Sequence, residues 1–92
     1  MRQIYPSHEG QLQRLNKIQG QINGVRKMIE ENRYCIDIVA QIKAVTAALR
    51  QVQLGVLETH VHHCVADAVS SGKPEQIDEK IEELMTALAR ME

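Results

Sequence analysis

The sequence predicts an all-α protein of three helices, and three observations carry that prediction. Its apolar residues are Leu, Ile, Val, Ala and Met, with no Phe or Trp and only two Tyr, a palette suited to helices packed on helices. Those residues recur at steps of three and four, the helical period. The rhythm breaks only at helix punctuation: Pro6, "ENR" at 31–33, and "SSGKPE" at 70–75.

Taken in order, the first helix runs from about residue 8 to about 31, with Ser7 as its expected cap and Leu12, Leu15, Ile18, Ile22, Val25, Met28 and Ile29 at helical spacing. Asn32 is the expected C-terminal cap. The second helix runs from Tyr34 to about Ser70 with no proline and only Gly55 as a weak point. Ile77, Ile81, Leu84, Met85 and Leu88 then mark a third, acidic helix over about 75–91. No internal repeat or low-complexity segment is present. The 92 residues read as a single domain, 1–92.

A chain this short buries a modest core alone, and the second helix, roughly 54 Å long at 1.5 Å per residue, has nothing in the chain to cover it. Positions 35, 39, 42, 46, 49, 53, 56 and 60 form a heptad-like seam. Cys35, Val39, Ile42, Leu49 and Val56 supply its apolar contacts, and Thr46 and Gln53 interrupt them. The expected assembly is an antiparallel dimer, a four-helix bundle around the paired second helices.

No run of eighteen apolar residues exists and the N-terminus lacks a signal-peptide core, which predicts a cytoplasmic protein without a membrane partner. In that reducing compartment two cysteines read as ligands or redox groups before they read as a structural disulfide. Residues 1–50 carry a net charge of +4 and the remainder −5. The first half can therefore face an anionic partner while the second stays solvated.

The chemistry concentrates in "ETHVHHC" at 58–64 and "RYC" at 33–35. At 100° per residue, Cys35, His60 and Cys64 fall on one helical stripe, whereas His62 lies nearly opposite and His63 about a third of a turn away. Cys35 and Cys64 are roughly 43 Å apart along a straight helix, too far to share a ligand within one chain. An antiparallel copy crossing near residues 49 and 50 brings Cys35 of one chain to Cys64 of the other and creates two equivalent sites. Two thiolates and one imidazole make a soft, three-coordinate set suited to Cu(I), while zinc wants a fourth ligand. A small buried cysteine and a hydrogen-bonded histidine are the structural alternative.

"GQINGV", "RYC" and "HVHHC", set in the run from residue 12 to about 70, resemble the copper-sensitive operon repressor (CsoR) family and its relatives that sense nickel or cobalt, formaldehyde, and sulfane sulfur. The resemblance implies a dimer that pairs into a homotetramer, binds operator DNA without a helix-turn-helix, and leaves DNA when its ligand binds. It puts the copper ligands on Cys35, His60 and Cys64, the same trio that helix geometry selects. It adds Tyr34 as a hydrogen-bonding neighbour of the site and a glutamate of the third helix, with Glu75 the first choice and Glu79 the second. It also matches Arg14, Lys17 and Arg50 to basic DNA-contacting positions, with Gln21 continuing the row and Lys27, Arg33 and Lys43 as weaker candidates.

The subtype implied is copper. The nickel or cobalt branch has histidines where this chain has Gln3 and Cys64, and another nickel branch has one where Gln21 stands. Formaldehyde sensors carry proline where Arg2 stands and lack the second cysteine, and sulfane-sulfur sensors lack the histidine present here as His60. His8 could supply an extra ligand. The competing readings are a persulfide relay through Cys35 and Cys64, which needs no His60, and a copper-binding helical oligomer without DNA. No nucleophile with an adjacent base, phosphate loop or carboxylate pair points to an enzyme. Gly20 and Gly24 each cost the helix up to about 1 kcal/mol, which close approach of another backbone or of DNA would explain.

Overall fold

The computed structural model describes residues 6–91; Arg2 and Gln3, used above to distinguish subtypes, lie outside them. Among the described residues three helices are formed: α1 (Gly10–Glu30), α2 (Cys35–Ser71) and α3 (Pro74–Arg90). The all-α, three-helix class expected from the sequence is the one observed.

The helix ends show why these boundaries hold. Ser7 does not cap α1 directly: Glu9 occupies the cap position with no side-chain cap bond, and Ser7 Oγ instead accepts the Glu9 N–H at 3.4 Å. The chain winds in through the Gln11 and Leu12 N–H groups donating to the His8 and Glu9 carbonyls at 2.9 and 3.0 Å. At the other end Asn32 sits at φ 55°, a left-handed conformation that asparagine tolerates better than most residues. The Asn32 and Arg33 N–H groups then donate to the Ile29 and Met28 carbonyls at 3.1 and 3.0 Å. That crossed pair is a Schellman closure, which satisfies carbonyls the helix end would otherwise orphan.

α2 starts as the Asp37 and Ile38 N–H groups donate to the Tyr34 carbonyl at 3.0 and 3.2 Å, with the Asp37 carboxylate in the first turn where the helix dipole favours it. It stops at Gly72, which takes φ 68°. Ser71 Oγ donates to the Ala68 carbonyl at 2.6 Å and accepts the Lys73 N–H at 3.3 Å. Pro74 occupies the first turn of α3, where its missing N–H costs nothing and its fixed φ suits the helix.

The chain forms two compact units, Ser7–Val56 and the segment from Leu57 onward. In the first, α1 runs antiparallel to the early part of α2: the Gln11 side chain fills the notch left by Gly55, and the Arg14 guanidinium donates to the Gln51 carbonyl at 3.5 Å. In the second, α3 folds back along the end of α2. Very little is enclosed in either unit. Among the described residues Ile18 at 3% exposure and Ala68 at 4% are the buried apolar side chains, while Leu12, Leu15, Ile22, Ile29, Val39, Ile42 and Leu49 are exposed in the first unit and Val65, Val69, Ile81, Met85 and Leu88 in the second. No described helix is long and apolar enough to cross a membrane.

Candidate metal centre and basic face

His60 and Cys64 stand one turn apart on α2, as their four-residue spacing requires, and both are half-buried. Cys64 Sγ lies 3.4 Å from His60 Nε2 and 3.7 Å from Nδ1. A thiol and an imidazole therefore face each other at the lip of an apolar crevice of about 90 Å³. Its walls include Val61, Val65, Ala68, Ile77 and Leu84, and Lys80 stands among them. Small residues on α2 make the room: Ala68 is the point of closest burial.

The carboxylate beside the imidazole is Glu83. Its Oε1 is 3.4 Å from His60 Nε2, and its Oε2 accepts from Lys80 Nζ at 3.3 Å. The hydrogen bond and charge of Lys80 hold the Glu83 carboxyl below the usual glutamate range, with His60 adding to the effect. In return the Glu83 bond and charge, and then the charge of Cys64, push the Lys80 ammonium up. Both groups stay charged near neutral pH.

Sequence reasoning did not name Glu83 or Lys80. Glu75, the first choice for the glutamate, is exposed in the first turn of α3, and Glu79 is exposed as well. The only signal available was that residue 80 shares a helix face with Ile77 and Leu84 and that residue 83 follows it by one turn; the length of the connection at Gly72 and Lys73 decides which turn of α3 meets His60.

The other sequence candidates are dispersed. Cys35 is the first residue of α2 and exposed, and Tyr34 precedes it, also exposed. His62 faces Glu58 at 4.0 Å, and His63 Nε2 lies 3.6 Å from Asp67 Oδ2; neither histidine turns toward Cys64. His8 is half-buried, and its Nδ1 is enclosed without a hydrogen-bond partner. Among the described residues no three His, Cys, Asp or Glu side chains of this one chain converge as a metal-holding group. His60 and Cys64 thus supply two donors from one direction.

On the first unit, Arg14 and Lys17 converge with Gln21, Ala48 and Gln51 around a surface crevice of about 260 Å³. Ile18 forms its floor, and Gln21 presents an enclosed Oε1 without a hydrogen-bond partner. Arg50 is exposed next to Gln51 and does not line that crevice. Arg26, by contrast, is tied to Glu30 at 3.4 Å on a solvated face.

Comparison with known proteins bears on what this arrangement serves. A family model described as "Metal-sensitive transcriptional repressor" matches residues 7–90. The copper-sensing transcriptional repressor CsoR of Bacillus subtilis is 56% identical over 63 residues, covering 68% of this chain and 62% of that protein. The copper-sensing transcriptional repressor RicR of Mycobacterium tuberculosis is 49% identical over 78 residues, covering 85% of this chain and 80% of that one. The match thus spans under two thirds of the Bacillus relative's length. Among solved structures, the copper-sensing repressor CsoR with Cu(I) from Geobacillus thermodenitrificans is 44% identical, with a TM-score of 0.75 over 96% of this chain and 92% of that one. The nickel-responsive transcriptional regulator InrS is 33% identical, with a TM-score of 0.80 over the whole of both chains.

Proposed function

The chain belongs to the metal-sensitive transcriptional repressor family, and from that premise we propose that residues 1–92 form a single copper-responsive DNA-binding domain acting as a dimer or dimer of dimers in the cytoplasm. It holds operator DNA when metal-free and releases it on binding Cu(I). The observation that carries the reading is the thiol and imidazole of Cys64 and His60, 3.4 Å apart and braced by Glu83.

The donor set fits a soft monovalent ion. Cys64 and His60 supply sulfur and nitrogen from one chain, and Cys35, exposed at the start of α2, supplies the second sulfur from an antiparallel copy. The exposed apolar faces of α1 and α2 support that partner, because a stripe with Leu15, Ile22, Ile42 and Leu49 open to water is an uncovered core. These donors would hold Cu(I) between two chains, and the ion would supply the bonds that tie one chain to the other. His60 offers one ring nitrogen while Glu83 accepts from the other, which fixes the tautomer and the ring plane, as carboxylates do for metal-bound histidines. Tyr34, the residue before Cys35, would add a hydroxyl hydrogen bond to the completed site. Tying the ends of the paired α2 helices would shift α1, which carries Arg14 and Lys17, the residues that with Arg50 would hold DNA phosphates. A coupling of about 1 to 3 kcal/mol corresponds to roughly 5- to 150-fold in DNA affinity. No step of this reading requires an enzymatic activity.

The test is a titration of reduced protein with Cu(I), Ni(II), Zn(II) and polysulfide, read by operator binding. Release by Cu(I), abolished in Cys35→Ser and Cys64→Ser without loss of metal-free DNA binding, is the expected result. Release of the wild-type protein by polysulfide or Ni(II) but not by Cu(I) overturns it.

A further inference from the structure

We propose that Lys80 sets the preference of the candidate metal centre for a monovalent over a divalent ion, through a positive charge held beside Cys64 in the apolar crevice. This rests on the reading of Cys35, His60 and Cys64 as the ligand set.

The argument starts from charge. Two thiolates and a neutral imidazole carry two negative charges, so a monovalent ion leaves the centre with one negative charge and a divalent ion leaves it neutral. A cation fixed nearby is attracted to the first and gains nothing from the second. Lys80 is placed to act in this way. It lines the same crevice as His60 and Cys64, and the other lining residues besides those two are Val, Ala, Ile and Leu, so Lys80 is the permanently charged side chain of that lining. The apolar walls weaken dielectric screening.

Its position is also fixed. Lys80 Nζ is bonded to Glu83 Oε2 at 3.3 Å, and Glu83 in turn rests on His60 at 3.4 Å, so the ammonium is tied to the imidazole through one carboxylate. Glu83 carries the opposite charge but does not line the crevice. The Lys80 side chain keeps 41% of its surface in water, which makes the effect moderate and sensitive to salt. The competing role is packing alone, in which the methylene stem covers Ile77 and Leu84 and the charge is incidental.

Two substitutions separate charge from packing: Lys80→Met keeps the stem and removes the charge, and Lys80→Arg keeps the charge. Full-length reduced protein is titrated with Cu(I) and separately with Zn(II) against chromophoric chelators, at low and high salt, and the ratio of the two affinities is read. Lys80→Met is expected to lower the Cu(I)-to-Zn(II) ratio by about 3- to 10-fold at low salt, with the difference shrinking at high salt, and Lys80→Arg is expected to keep it. An unchanged ratio in Lys80→Met, or equal shifts in both variants, overturns the proposal. Cu(I) binding that survives Cys35→Ser and Cys64→Ser overturns the ligand reading itself and this inference with it. Cysteine-dependent binding with a ratio indifferent to Lys80 sinks the inference alone.

Discussion

The two units of the chain make opposite use of similar material. Around Ser7–Val56 two long helices lie against each other with Ile18 buried between them, and the outward surface is basic at Arg14, Lys17 and Arg50. From Leu57 onward the helical pair is shorter, acidic, and buries Ala68 instead. Where the first unit brings its helices together over a glycine notch, the second leaves a crevice edged by a thiol, an imidazole and an ammonium. Neither unit closes a core by itself. What separates them is the chemistry placed at the gap: an enclosed amide and two cations in one, a thiol and an imidazole in the other.

The comparison breaks first at the exposed apolar face of the Ser7–Val56 unit. Leu49→Asp, at a side chain open to water in the single chain, is expected to cost about 3 kcal/mol or more once a partner covers it, since an unpaired charge is then buried. Sedimentation should show loss of the assembly, accompanied by loss of helicity; an unchanged assembly state would remove the basis for a site shared between copies. Next comes the glutamate. Glu83→Gln should weaken Cu(I) binding by about 10- to 100-fold, the usual cost of losing a group that orients a ligating histidine, whereas Glu75→Gln should leave it alone. A chelator competition on both variants decides between them.

A smaller effect is expected at the basic face. Arg14→Ala should weaken operator binding and lower the slope of log affinity against log salt by about one for each phosphate that the guanidinium no longer neutralises. Identical slopes for variant and wild type would reassign Arg14 to its bond with the Gln51 carbonyl. Smallest is Gly24→Ala. Within the chain nothing lies within 4 Å of a methyl group placed there, so the helix should gain up to about 1 kcal/mol, visible as a higher melting temperature, while operator binding falls. A stabilised variant that binds DNA and assembles normally would mean that neither a second backbone nor DNA approaches this glycine.

The helices were legible in the sequence because their limits are chemical: Asn32 takes a left-handed turn, and Gly72 with Pro74 stops one helix and starts the next. His60 and Cys64 were legible because a four-residue spacing on a helix needs no knowledge of tertiary packing. Glu83 was not, since its distance to His60 depends on how many residues the turn before α3 absorbs. The route by which Ser7 reaches Glu9 rather than the helix proper was hidden for a similar reason, as it turns on two extra residues at the entry.

The tight turn at Asn32 also bears on how the molecule comes into being. Because it joins α1 to α2 through four residues outside the helices, Glu31–Tyr34, contacts such as Gln11 with Gly55 form within one newly made chain, by the fast local closure typical of helical hairpins. Completing the centre is a different kind of event if Cys35 must come from another copy: it is bimolecular, and its rate follows the square of chain concentration. A cell holding few copies would then hold transient hairpins before it possesses sensors, and the lag between the two would lengthen as expression falls.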